Sequence, residues 1–187
     1  AQLNALKLQL DPHFIFNRLS ILSELILEDQ QLGYEYSERF SRVYRFLLVN
    51  SKKNTVSLEE ELKFLDSYIF LIKHRIGSGV TFDIDVPPHF KSLYLPPLTL
   101  QLLIENALKH NSTNKNSPLN IRIYTKDIPV LVVENSLSLI ENQNLRSFGI
   151  GLPNIMNRFQ LLQGKLPEIV KDAATYKVII HLMDYEQ

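Results

Sequence analysis

The 187-residue chain contains no cysteine. That excludes disulfide bridges and thiolate metal sites, and it fits a reducing compartment. Net charge is absent as well. Lysine plus arginine, 20 residues, equals aspartate plus glutamate, 20 residues, so nothing points to a nucleic-acid surface. No apolar run approaches the roughly 18 residues of a membrane span, and no signal-peptide pattern is visible. Internal repeats are lacking too. His74, His89 and His181 have no partners at metal-ligand spacing, so no zinc site is expected. What remains is an ordinary globular composition, 45 % hydrophobic, in a length suited to one domain or two small ones.

Periodicity gives the organisation. Residues up to about Glu28 read as one long helix, kinked near Pro12, whose ring removes a helical hydrogen bond. A break from Asp29 to Tyr34, with Gly33 inside it, leads to a second helix through Phe40, Val43, Phe46, Leu47 and Asn50. Ser57-Leu58-Glu59-Glu60 is a capping box that starts a third helix, ending before Gly77-Ser78-Gly79. Alternating runs then read as strands: Val80 to Val86, Leu119 to Thr125, Val130 to Glu134 and Tyr176 to Leu182. The polar stretch Asn111 to Pro118 reads as a loop. The expected fold is α+β: an N-terminal helical hairpin, residues 1–54, followed by a two-layer sandwich, residues 55–187, whose linking helix spans 57–76. Two antiparallel helices lack the surface for a core of their own, so the hairpin should dimerise into a four-helix bundle. Its seam would set Leu3, Leu6, Leu10, Phe14, Leu22 and Leu25 against Phe40, Tyr44, Leu47 and Leu48. Arg39, Arg42 and Arg45 read as a solvated face of the second helix.

Three segments carry chemistry. The first, Pro97 to Asn111, is an apolar helix with Pro96 and Pro97 at its start, Leu98, Leu102 and Ile104 to Leu108 on its core side, and Glu105, Asn106, Lys109 and His110 breaking the apolar run. Positions four apart lie one above the other, so Glu105 stacks with Lys109 and Asn106 with His110. Oxygen ligands for a hard cation thus stand beside positive donors for phosphate. The second segment is Ser147-Phe148-Gly149-Ile150-Gly151-Leu152-Pro153-Asn154-Ile155. Its two glycines permit close backbone approach to a ligand, and the helix that follows (Leu152, Ile155, Phe159, Leu162) presents free N–H groups to an anion. The third is Leu10-Asp11-Pro12-His13-Phe14-Ile15-Phe16-Asn17. Here His13 sits beside an apolar seam, and a neutral imidazole suits phosphoryl acceptance near neutral pH.

In this order the three segments resemble the LytS-type sensor histidine kinases. That family joins a histidine-bearing dimerisation region to a Bergerat-type ATP-binding domain. The stretch from Leu58 to Arg75 also looks like the family's linking helix, so the resemblance covers nearly the whole chain. It implies His13 as phosphoacceptor and Asn106 as the ligand of a Mg2+ ion that bridges the ATP phosphates. It further implies Glu105 as the acidic neighbour orienting the nucleophile, Lys109 and His110 near the phosphates, and Gly149 and Gly151 as the glycine box. The implied function is autophosphorylation from ATP and transfer to the aspartate of a response-regulator receiver domain, by a homodimer. The uncapped helical start at Ala1 suggests a fragment, and the resemblance implies upstream membrane and sensor segments. The whole protein would then stand at the cytoplasmic side of a bacterial inner membrane.

One departure bears on activity. The family's adenine-reading box is an aspartate followed two residues on by glycine. In this sequence Asn135 stands in the aspartate's place and Leu137 in the glycine's. An amide oxygen still accepts from the adenine amino group but without charge. The segment from Ser136 to Phe148 is also short for a nucleotide lid. A degenerate, weakly nucleotide-binding dimeric scaffold is therefore the alternative expectation.

Overall fold

A computed structural model of the chain describes residues 12–138 and 151–185. Helix α1 (Pro12–Glu28) and helix α2 (Gln30–Asn50) are separated by one residue, Asp29, whose extended backbone breaks the helix and whose side chain accepts from Leu32 N at 3.1 Å. The expected break from Asp29 to Tyr34 is thus corrected. A well-placed cap lets the second helix begin at once, and Gly33 lies inside it. That glycine marks a close approach instead, since a Cβ there would stand 3.1 Å from the backbone nitrogen of Ile26. The expected kink near Pro12 and the seam residues Leu3, Leu6 and Leu10 lie at or beyond the edge of the described residues, as does the side chain of Phe14.

Within one chain the residues of the expected dimer seam differ in burial. Leu25 and Leu47 are buried, Leu22, Phe40 and Tyr44 are half-buried, and Leu48 is 61 % exposed. The buried side of α2 packs on helix α3 (Leu58–Ile76), where Phe46 stacks on Phe64 with ring centroids 4.4 Å apart. Arg39 is not simply solvated. It pairs with Asp66 of α3 and lies over the Phe70 ring at 5.2 Å. α3 has the expected capping box: Glu60 N donates to Ser57 Oγ at 3.2 Å and Ser57 N to Glu60 Oε2 at 3.4 Å. Acidic residues fill its first turn (Glu59, Glu60, Glu61) and basic ones its last (Lys73, His74, Arg75), matching the helix dipole.

The sandwich is a five-stranded mixed sheet of β2 (Val80–Asp85), β4 (Leu119–Thr125), β5 (Val130–Ser136), β7 (Thr175–His181) and β6 (Glu168–Lys171), in that order across the sheet. β2 and β4 are parallel and the remaining neighbours antiparallel. Alternation sorts the faces: Leu119, Ile121 and Ile123 are buried while Asn120 and Arg122 face solvent. On the buried face lie helix α4 (Thr99–His110) and helix α5 (Gly151–Leu161), contributing Leu100, Leu103, Ile104, Ala107, Ile155 and Phe159 to the core. The four expected strands are all present to within a residue or two. Three short ones were not expected. The two-residue β1 (Val56–Ser57) and β3 (Tyr94–Leu95) pair with each other, and β6 is exposed at every position.

Candidate functional site

The central element is α4. Its start differs from the expectation, because Pro96 and Pro97 precede the helix rather than open it. Leu98 stands between in a left-handed conformation (φ 68°) and the helix begins at Thr99. The prolines force extended backbone ahead of the helix, and the turn at Leu98 reverses it. No side chain at Leu98 caps the helix, and Thr99 Oγ1 turns back to Pro96 O at 2.6 Å. The first-turn amides find a distant acceptor. Glu61 of α3, fully buried, accepts from Leu98 N through Oε2 and from Leu100 N through Oε1, both at 3.1 Å. Arg158 of α5 donates to Pro97 O at 2.6 Å. Burial pushes the Glu61 carboxyl up to about 7, against the opposing pull of these amides and of Arg158.

Toward its C-terminal end α4 turns polar. Glu105 and Asn106 are half-buried, Lys109 is exposed and His110 half-buried. Burial raises the carboxyl of Glu105, and the Arg18 guanidinium of α1 partly counters it. Arg18, itself buried, also donates to Leu71 O of α3 at 3.5 Å. The helix that carries His13 therefore sends a cation toward the helix that carries Glu105. His13 lies in the first turn of α1, and its side chain is outside the described residues.

Gly151 is the first residue of α5, and a Cβ there would stand 3.8 Å from Leu102 O of α4, an ordinary contact. The glycine end of α5 thus abuts α4, and among the described residues none stands close enough to demand a glycine at that point. Gly149 falls outside the described residues. At the end of β5, Asn135 is buried and its Nδ2 donates to Ser136 O at 2.8 Å, which leaves the carbonyl oxygen of the amide as an acceptor. Glu134 lies on the other face, where it accepts from Tyr124 Oη at 2.9 Å. Leu137 keeps its backbone in the fold, its N–H donating to Ala174 O at 2.9 Å.

Several residues of this region were not found by sequence reasoning. Tyr176 is paired across the sheet with Asn135, and its hydroxyl is buried with no hydrogen-bond partner among the described residues. Asn111 donates to Ala107 O at 2.9 Å and accepts from Ser138 N at 2.9 Å, tying the end of α4 to the exit of β5. Glu61 and Arg158 hold the opposite end. Arg158 lies past the glycine segment, in the last turn of the helix that follows it. Glu61 looked like one more surface acid of an acidic first turn. The donor set fits Mg·ATP. An amide and a carboxylate stand on one helix, the start of α5 at Gly151 lies against that helix, and a buried acceptor with an unpartnered hydroxyl lies at the end of the sheet.

Residues 1–80 match the histidine kinase family model. The sensor histidine kinase/phosphatase LytS of Staphylococcus aureus strain MRSA252 is 27 % identical over 180 residues, covering 88 % of this chain and 31 % of the relative. The same protein of strain Mu50 is equally similar. The chain thus spans about a third of the length of these curated relatives. Among solved structures, the histidine kinase domain of a blue-light activated histidine kinase from Erythrobacter litoralis is 16 % identical, covers 97 % of this chain and 91 % of that one, and has a TM-score of 0.47. The Acinetobacter baumannii histidine kinase AdeS is 12 % identical, with 94 % and 97 % covered and a TM-score of 0.45.

Proposed function

We propose, from the premise that this chain is of the LytS sensor histidine kinase type, that it is the catalytic portion of a two-component kinase. It phosphorylates His13 from ATP and passes the phosphoryl group to an aspartate of a response-regulator receiver domain. The observation that carries this reading is the juxtaposition of the glycine end of α5 with α4, Gly151 lying against Leu102, one turn before Glu105 and Asn106. A triphosphate in that corner meets backbone N–H groups on one side and polar side chains on the other.

In this reading residues 1–54 form the dimerisation and phosphotransfer hairpin, and residues 55–187 the ATP-binding domain. Asn106 would hold Mg2+, which when bound neutralises charge on the phosphates. Lys109 and His110 lie toward the phosphates, Gly149 and Gly151 close over them, and Asn135 receives the adenine amino group. An imidazole nitrogen of His13 bonds to the γ-phosphorus as the bond from that phosphorus to the β–γ bridging oxygen breaks, releasing ADP. Glu105 orients the attacking ring, and its raised proton affinity also suits it to receive the proton that the ring gives up. The phosphoryl group then moves from nitrogen to the receiver's carboxylate oxygen. Exposed Phe16, Leu19, Ile26 and Leu27 form a stripe along α1 that a second copy would cover, making the homodimer. Among the described residues no helix is long and apolar enough to cross a membrane. Attachment to the cytoplasmic side of a bacterial inner membrane would come from the remainder of the protein.

A second reading rests on β5. Just past β5, the Leu137 N–H is tied to Ala174 O where glycine would free the backbone, and Asn135 brings no charge. A dimeric scaffold that binds nucleotide weakly follows from that. Calorimetry with Mg·ATP, together with labelling by γ-labelled ATP, separates the two. The kinase reading expects binding at micromolar to sub-millimolar strength, weakened by Asn106→Asp, and label on the wild type but not on His13→Gln. Full label on His13→Gln overturns the assignment of the acceptor. No binding up to millimolar ATP leaves the scaffold.

A further inference from the structure

We propose that Glu61 is a positioning residue for phosphoryl transfer, the anchor by which the linking helix α3 sets the register of α4 and so the placement of Glu105 and Asn106. The proposal rests on the kinase reading above.

The start of α4 is built in an unusual way. A helix leaves its first amides without internal partners, and the common remedy is a Ser, Thr, Asp or Asn at the cap. Here the cap residue is Leu98, held at φ 68°, and its neighbour Thr99 is turned away to Pro96 O. The acceptor comes instead from 37 and 39 residues away, with each oxygen of one carboxylate serving one amide. A fully buried carboxylate is a costly way to cap a helix, because burial disfavours its charge. A serine at position 98 would serve the same amides without a buried acid. What the distant carboxylate adds is a link between two helices.

That link joins a particular pair. α3 is already capped by Ser57 and Glu60, so Glu61 is not needed for its own helix. The entry to α3 is bound to the segment before α4 through Leu58 N to Leu93 O at 2.7 Å and Glu59 N to Lys91 O at 3.0 Å. Arg158 closes the arrangement from α5, donating to Pro97 O while its charge lies within reach of Glu61. Three helices therefore converge on residues 97–100. One is packed along the hairpin, one carries Glu105 and Asn106, and one begins at Gly151. Catalysis by positioning is sensitive to shifts of about 1 Å. A helix held at its start by a group outside itself takes its position from that group.

The test uses the whole chain and three forms of it. Glu61→Gln keeps the volume but offers one acceptor oxygen for two amides. Ile180→Val in the distant core of β7 serves as a control for general loss of stability. The wild type completes the set. Rates of His13 labelling at saturating Mg·ATP and Mg·ATP affinities are read side by side, with amide hydrogen exchange over residues 98–106 and 119–125. The expected result for Glu61→Gln is a transfer rate at least about tenfold lower, an affinity changed by less than about threefold, and faster exchange confined to 98–106. Ile180→Val should leave the rate at saturation within about twofold. Rate and affinity that fall together, or an equal loss in the control, would overturn the proposal by reducing Glu61 to a stabilising contact. Unchanged exchange over 98–106 would overturn it as well. A wild type that takes no label refutes the kinase reading itself, and with it the catalytic role of Glu61. The exchange data would still report whether Glu61 holds α4.

Discussion

The helical hairpin and the sandwich finish their cores differently. In the sandwich, α4, α5 and the inner face of the sheet enclose Leu100, Ile104, Ile121, Ile123, Leu131, Phe159 and Ile180, each at most 1 % exposed. In the hairpin, Leu25, Tyr36, Val43 and Leu47 are buried, yet Phe16, Leu27, Leu48 and Val49 stand more than half exposed. The sandwich also exposes large apolar side chains, Ile128 and Leu161 among them, but around a closed core, whereas the hairpin carries its exposed apolar residues on two helices. The part expected to bind a nucleotide needs a fixed frame, and the part expected to pair with a second copy needs an unsatisfied face.

Truncation inside the sandwich should sharpen the contrast most. Ile104→Ala removes a fully buried side chain from the site helix and is expected to cost about 2–5 kcal/mol in denaturant unfolding. The same truncation at Leu27, 88 % exposed, should cost under about 0.5 kcal/mol within one chain.

A second prediction concerns the junction between the two parts. The folded Glu61 carboxyl holds its proton up to about 7, while in the unfolded chain it loses it near the ordinary 4.5. Folding thus binds a proton between those values. The stability that Glu61 contributes is fully present below pH 4.5, declines as pH rises through that window, and is level above about 7. The stability difference between wild type and Glu61→Gln should follow that curve, with an amplitude of at most about 3 kcal/mol. A difference that grows with rising pH would show the carboxylate to be favoured by the fold.

The hairpin's exposed apolar surface can be tested by charge. Phe16→Asp combined with Leu19→Asp should weaken self-association by about 2 kcal/mol or more, read by sedimentation, and leave the melting of the sandwich in place. Equal association would move the dimer contact elsewhere. The smallest effect belongs to the Arg39–Asp66 pair that ties α2 to α3. Asp66 is 74 % exposed, so a double-mutant cycle should give a coupling under about 1 kcal/mol.

How much of this was readable in the sequence follows from the range of the interactions. Strand alternation and the Ser57–Glu60 box are local, and they placed four strands and the ends of α3. The break at Asp29 was read too long because Gly33 looked like a breaker, when a single capping aspartate suffices. Pro96 and Pro97 looked like first-turn prolines, but the left-handed Leu98 that separates them from α4 has no sequence signature. Glu61 and Arg158 act through partners on other elements, Tyr176 is set beside Asn135 by strand pairing, and only the folded chain brings these together. The strand β6 escaped notice because all four of its residues are exposed and no face alternates.

That strand has a consequence for handling the protein. β6 pairs with β7 on one side, and among the described strands none pairs with its other edge, where Ile169 and Val170 stand nearly half exposed between Glu168 and Lys171. An open strand edge is a template on which another molecule can extend the sheet, and flanking charges are what discourages it. Two ionic side chains on a four-residue strand thus act as gatekeepers against aggregation. Neutralising both would make concentrated stocks prone to fibrous precipitation while every helix and every site residue stayed in place.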